Sequence, residues 1–149
     1  MKTLTIYYSR AGHTAAVAKK IQAIVGGDLF EIKGTKNYGS YARAIMIARR
    51  EFSSGEMLKF MGDVEDFDSY DRILVGFPVW YGKAPQLVIS FLVSHNFKGK
   101  EVYPFCTSGS SGPEGAQQQL QNACGKATVH SGIRFKEVNK ADVEAWLEG

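Results

Sequence analysis

The chain has 149 residues, a length expected to form one domain over residues 1–149 with no room for a separate cofactor module. Its 44% apolar, 12% aromatic and 22% charged residues exclude intrinsic disorder and fibrous repeats. The net charge of +3 is uneven: residues 1–50 hold nine Lys or Arg against Asp28 and Glu31, and the remainder holds nine against thirteen acids, so no uniform nucleic-acid-binding surface is implied.

Leu4-Thr5-Ile6-Tyr7-Tyr8 favours a strand that ends at Ser9-Arg10-Ala11-Gly12-His13-Thr14. Apolar residues then return at helical spacing through Val17, Ile21 and Ile24 until Gly26-Gly27. Leu29 to Ile32 reads as a second strand ending near Gly34, which closes a βαβ unit with a parallel sheet. A helix is expected from about Tyr41 to Phe52, with Tyr41, Ala44, Ile45, Ala48 and Phe52 on one face. The acidic run Asp63, Glu65, Asp66, Asp68 and Asp71, interleaved with Val64, Phe67 and Tyr70, suits a solvated loop with apolar anchors.

Arg72 to Phe77 is a nearly continuous apolar run, the pattern of a central strand covered on both faces, and Pro78 stops it. Pro85 opens a helix whose buried stripe is Leu87, Val88, Phe91 and Leu92. Glu101 to Cys106 is the next strand, and Thr107 to Gly112 forms a second small, glycine-rich loop before a glutamine-rich helix through Leu120 to Cys124. A last strand falls within Ala127 to Phe135, and Asn139 caps a terminal helix containing Val143, Trp146 and Leu147. Five strands alternating with about five helices argue for a doubly wound α/β sandwich.

In such sheets ligands bind beyond the carboxyl ends of the strands where the strand order reverses, so the loops after strands one, three and four should converge. The first offers backbone N–H groups at a helix N-terminus, close approach at Gly12 and the hydroxyls of Ser9 and Thr14, which suits a phosphate dianion. No lysine follows, so it is not a triphosphate-binding loop. The second, Pro78-Val79-Trp80-Tyr81-Gly82, sets two aromatics at a strand end; aromatics are usually spent on core burial, and a flat π-ligand would explain them here. The third offers unhindered donors and acceptors at Thr107, Ser108, Gly109 and Ser110. Phosphate at one end and an aromatic ring at the other describe flavin mononucleotide (FMN).

The motifs S-R-A-G-H-T, G-F-P-V-W-Y-G-K-A-P and C-T-S-G-S-S-G, in that order at three strand ends, resemble the flavodoxin-like family over nearly the whole chain. The resemblance implies a five-stranded parallel sheet of order 2-1-3-4-5, non-covalent FMN, phosphate held by Ser9 to Thr14, and the ring held by Pro78 to Gly82 and Thr107 to Ser110. Two departures stand out: Ala11 replaces a hydroxyl common in the family, and the charge balance is basic where electron carriers of this family are acidic. Arg10 either neutralises the phosphate or sits on the surface; the His13 ring either points to solvent or acts as an acid or base; Gly82 either permits a backbone flip or is a turn residue.

The function implied is electron transfer by an FMN protein between a reductase and an acceptor, as a monomer or homodimer. An NAD(P)H-dependent FMN reductase acting on quinones is the alternative, and a flavin-free scaffold a third. A receiver domain lacks its acceptor Asp at Gly76-Phe77-Pro78, and a low-molecular-weight phosphatase lacks its Cys in the first loop. Cys106 and Cys124 are expected to be buried free thiols, with no Cys/His cluster at metal-ligand spacing. No apolar run reaches the ~18 residues of a membrane helix, so a cytoplasmic protein with neither membrane nor nucleic-acid partners is expected.

Overall fold

The computed structural model describes residues 2–35, 43, 46, 47, 49, 50, 55, 57–108 and 111–148. In chain order the elements are β1 (Thr3–Tyr7), α1 (His13–Val25), β2 (Asp28–Glu31), β3 (Lys33–Gly34), β4 (Phe60–Met61), β5 (Arg72–Pro78), α2 (Gln86–Val93), β6 (Glu101–Thr107), α3 (Gln117–Cys124), β7 (Thr128–Val129), β8 (Ile133–Arg134) and α4 (Lys140–Glu148). Single 3-10 turns precede β5, at Phe67–Ser69, and α3, at Glu114–Ala116.

The main sheet runs β2-β1-β5-β6-β7, with β8 also on β6, and every pairing in it is parallel. Counted along the chain, this is the expected 2-1-3-4-5 order. Period-2 alternation divides its side chains between two cores. Leu4, Ile6, Ile73, Val75, Phe77 and Val102 pack under α2 and α3, while Tyr7, Leu74, Tyr103 and Phe105 pack under α1 and α4. Each fully buried Phe, Leu or Ile contributes roughly 1.5–3 kcal/mol. Gly76 sits mid-strand where a Cβ would be driven into the Phe105 ring, so the bare backbone is what admits that aromatic.

The last strand is broken into two short pieces, and the cause lies on its neighbour. The carbonyls of Lys100, Val102 and Cys106 accept the N–H groups of Thr128, His130 and Phe135, so alternate residues of β6 face this edge. Pro104 falls in the same set and has no N–H to donate. The ladder opens opposite it, between β7 and β8, where Gly132 lies tight against Pro104 and Pro113.

α2 departs from the expected stripe, because all of Gln86 to Leu92 is buried. The cover comes from the β3–β4 ribbon, an antiparallel pair that the sequence reading did not anticipate. Gly34 lies against Leu87, the Leu58 N–H donates to Ser90 Oγ at 2.8 Å, and Phe60 packs on Phe91 at 5.0 Å. Phe60 is therefore part of the scaffold, while Met57 and Met61 are exposed.

The acidic run behaves as expected: Asp63, Glu65, Asp66, Asp68 and Asp71 are exposed, and Phe67 and Tyr70 anchor it in the core. The Asn139 side chain caps α4 through the Asp142 N–H at 2.9 Å. In the helix expected from Tyr41 to Phe52, Arg43, Met46, Ile47, Arg49 and Arg50 are helical. The face assigned to Tyr41, Ala44, Ile45, Ala48 and Phe52 lies outside the described residues. No helix among the described residues is long and apolar enough to cross a membrane.

Candidate functional site

β1, β5 and β6 are adjacent and parallel, so the loops leaving their carboxyl ends lie side by side. The first loop is shaped by Gly12, the N-cap of α1, at φ 96° and ψ −12°, a conformation that L side chains rarely adopt. No side chain caps this helix, no acid lies in its first turn, and the space a Gly12 Cβ would occupy is open. The first-turn N–H groups of an α-helix have no intrahelical acceptor, and the macrodipole adds partial positive charge there.

Inside the loop, Ser9 Oγ accepts the Gly12 N–H at 3.0 Å. That N–H is thus satisfied locally, while the Ser9 hydroxyl keeps its own hydrogen for an outward acceptor. Arg10 and Ser9 are half-buried, Ala11 and His13 are exposed, and Thr14 is buried at 2% exposure.

The second loop continues β5 through Pro78 and Val79 into a tight reversal. Trp80 and Lys83 exchange both backbone hydrogen bonds at 2.9 Å, and the two residues between them, Tyr81 at φ 53° and Gly82 at φ 75°, both take positive φ. This is the two-residue hairpin geometry that a primed turn demands. Glycine meets it freely, whereas tyrosine adopts it at a cost of about 1–2 kcal/mol. Tyr81 is 55% exposed there. Trp80 is half-buried, with its ring edge-on to Tyr8 at 5.7 Å.

Residues that follow β6 brace this turn. Gln119 clasps the Ala84 backbone, accepting its N–H at 3.0 Å and donating to its carbonyl at 3.2 Å. Lys83 Nζ reaches the Gly115 carbonyl at 3.4 Å, and the Gly82 carbonyl lies so close to Gly115 that a Cβ there would overlap it.

The third loop begins at the end of β6. Thr107 carries two links: its carbonyl accepts the Val79 N–H at 3.4 Å, and its Oγ1 lies 2.6 Å from Thr14 Oγ1. Ser108 Oγ donates to the Ser111 carbonyl, and Gly109 and Ser110, both expected at the site, lie outside the described residues. Arg134, which sequence reasoning missed, is brought alongside by its register with Cys106 and donates from Nη1 to the Ser108 carbonyl at 3.3 Å.

Cys106 lies beneath this loop, fully buried. Burial, with the Glu114 carboxylate adding to it and the Arg134 cation opposing, pushes its thiol up to about 12. Burial does the same to Cys124. Both are free cysteines, and neither is a thiolate nucleophile at neutral pH. Among the described residues no cluster of His, Cys, Asp or Glu could hold a metal ion.

The sequence profile of the flavodoxins matches residues 2–149, a span that includes all three of these loops. The chain belongs to the flavodoxin family. Among solved structures, this flavodoxin is similar to a provisionally named flavoprotein from Bacteroides eggerthii, at 29% identity and a TM-score of 0.90 over 99% of this chain and 96% of that one. A second, from Bacteroides uniformis, shares 31% identity at a TM-score of 0.87 over 99% and 98% of the two chains. A Lactobacillus acidophilus flavoprotein solved in complex with FMN shares the fold at 24% identity and a TM-score of 0.80, covering 98% of each chain. No curated protein matches the sequence.

Proposed function

We propose that this flavodoxin binds FMN non-covalently and passes electrons between a reductase and an acceptor. The observation that carries the reading is the open N-terminus of α1, with no side-chain cap and no first-turn acid, set beside the aromatic turn at Trp80-Tyr81 on adjacent strands. A phosphate dianion fits the first, and a planar ring fits the second. The FMN complex of the Lactobacillus acidophilus relative supports the same cofactor.

In this reading the first-turn amides of His13, Thr14 and Ala15, with the hydroxyls of Ser9 and Thr14, hold the phosphate. Trp80 and Tyr81 flank the ring, and the Thr107 to Ser110 loop meets its polar edge. When bound, FMN supplies the electron chemistry; the chain orients it, excludes water from part of it and sets its potential. The basic charge balance favours the reduced, more negative cofactor relative to an acidic carrier, which fits a less negative potential.

Titrating the apoprotein into FMN, with riboflavin as control, and following the quenching of flavin fluorescence tests this. Strong quenching that requires the phosphate is expected. Quenching by neither flavin overturns the cofactor, and steady oxidation of NADPH by the protein alone with a quinone present reassigns it as a reductase.

A further inference from the structure

Thr107 hydrogen-bonds to both other loops of the site: its carbonyl accepts the Val79 N–H, and its hydroxyl bonds to that of Thr14. We propose that it is also the residue through which the site selects a phosphorylated flavin, by donating its hydroxyl hydrogen to Thr14 and thereby releasing the Thr14 hydrogen for the phosphate. This rests on the FMN reading above and assigns Thr107 a task beyond contact with the ring.

The argument is one of counting hydrogens. Two hydroxyls hold two hydrogens, and a contact of 2.6 Å uses one of them, with either oxygen able to donate. If Thr14 donated to Thr107, its only hydrogen would be engaged and its oxygen would face an anion lone pair to lone pair. The opposite orientation gives a chain, Thr107 to Thr14 to phosphate, in which each hydroxyl accepts one bond and donates the next. An anion before α1 selects that orientation, and a hydroxyl that accepts a bond becomes a stronger donor.

Burial and stiffness hold the geometry. Thr14 is 2% exposed, so water cannot replace Thr107 from behind, and both side chains are β-branched with restricted χ1. The backbone of Thr107 is fixed within β6 by its register with Pro78. Thr107 is a positioning residue here: it acts on the phosphate only through Thr14.

The test is a flavin-specificity measurement on Thr107→Val, which keeps the shape and removes the donor, with Thr107→Ser as the conservative partner. Affinities for FMN and riboflavin are read from fluorescence quenching and folding from thermal melts. The expected result is an FMN-to-riboflavin affinity ratio about tenfold lower in the valine variant than in the wild type, recovery of the ratio in the serine variant, and no further loss of it when Thr107→Val is added to Thr14→Val.

Equal losses for both flavins, or an unchanged ratio, would overturn the relay and leave Thr107 as a ring contact. A wild-type protein that binds FMN no better than riboflavin fails differently, since it removes the phosphate site itself. If the valine variant melts early, Thr107→Ala, which also removes the donor, takes its place, and a wild-type FMN-to-riboflavin ratio in it overturns the proposal.

Discussion

The two ends of the sheet treat polar groups in opposite ways. At the amino end, before β5 and β6, polar groups of the chain answer one another. The buried ammonium of Lys100 donates to the carbonyls of Phe67, Asp68 and Tyr70, closing the end of the 3-10 turn, and lies 5.1 Å over the Phe67 ring. Tyr70 donates to Asp28 at 2.5 Å, Lys2 bonds to both Asp71 and Ser69, and Arg72 reaches Thr3. At the carboxyl end a helix starts without a side-chain cap and a tyrosine is held at positive φ. The first end is closed and stabilises the fold; the second keeps donors and strain facing outward, where a ligand can use them.

If this division is right, substitutions at the two ends should separate stability from binding. Lys100→Met should have the largest effect, because it leaves three carbonyls without their shared donor. A loss of about 2–3 kcal/mol in urea unfolding is expected, with FMN affinity of the folded protein unchanged. A variant as stable as the wild type would mean that the closed end is not a source of stability.

Tyr81→Gly tests the other end with the opposite sign. Removing a side chain from positive φ should leave stability unchanged or raise it by less than about 1 kcal/mol, after allowing for the greater flexibility of glycine in the unfolded chain. Flavin binding should weaken about fivefold through the lost ring contact. Loss of stability without loss of binding would reverse the roles assigned to the two ends.

A smaller, pH-dependent effect belongs to Tyr70. Its hydrogen bond to the Asp28 carboxylate, then burial and the nearby charges of Asp28 and Asp66, raise its phenol to about 12. Because the folded value exceeds the unfolded one of about 10, this contribution is fully present below pH 10 and is lost as pH rises toward 12. Tyr70→Phe should flatten the stability profile over that window, as seen in melting temperature against pH. An unchanged slope would locate the alkaline sensitivity elsewhere.

Asp63, at the edge of the acidic loop, offers the weakest lever. Partial burial raises its carboxyl, but the His95 hydrogen bond at 2.6 Å, the Val64 N–H and the His95 charge outweigh this and hold it below the usual range. The folded value lies below the unfolded one, so stability is present above about pH 4 and falls as acid protonates the group. Asp63→Asn should reduce the acid sensitivity slightly, because the carboxylate is mostly exposed.

The legible parts of this molecule are those whose signal is local. Arg72 to Phe77 is apolar on both faces because both faces are covered, and that reads directly as a central strand. Gly12 and Gly82 announce loops because a positive φ favours a residue without a Cβ, and the aromatics at Trp80-Tyr81 stand out because they follow a strand end. The opaque parts depend on a partner far away in the chain. Lys100 looks like a surface lysine until the turn 30 residues earlier folds over it. The break in the last strand is caused by a proline on the neighbouring one, and α2 is buried all round only because the β3–β4 ribbon lies across it.

The five-strand parallel sheet, the position of three loops at one end and the family were determined by the sequence, since period, turn chemistry and motif order are properties of neighbouring residues. The tertiary structure alone decided which hydroxyl meets which. Thr14 and Thr107 stand 93 residues apart, and only the packing of α1 over the adjacent strands β1, β5 and β6 brings their oxygens to hydrogen-bond distance.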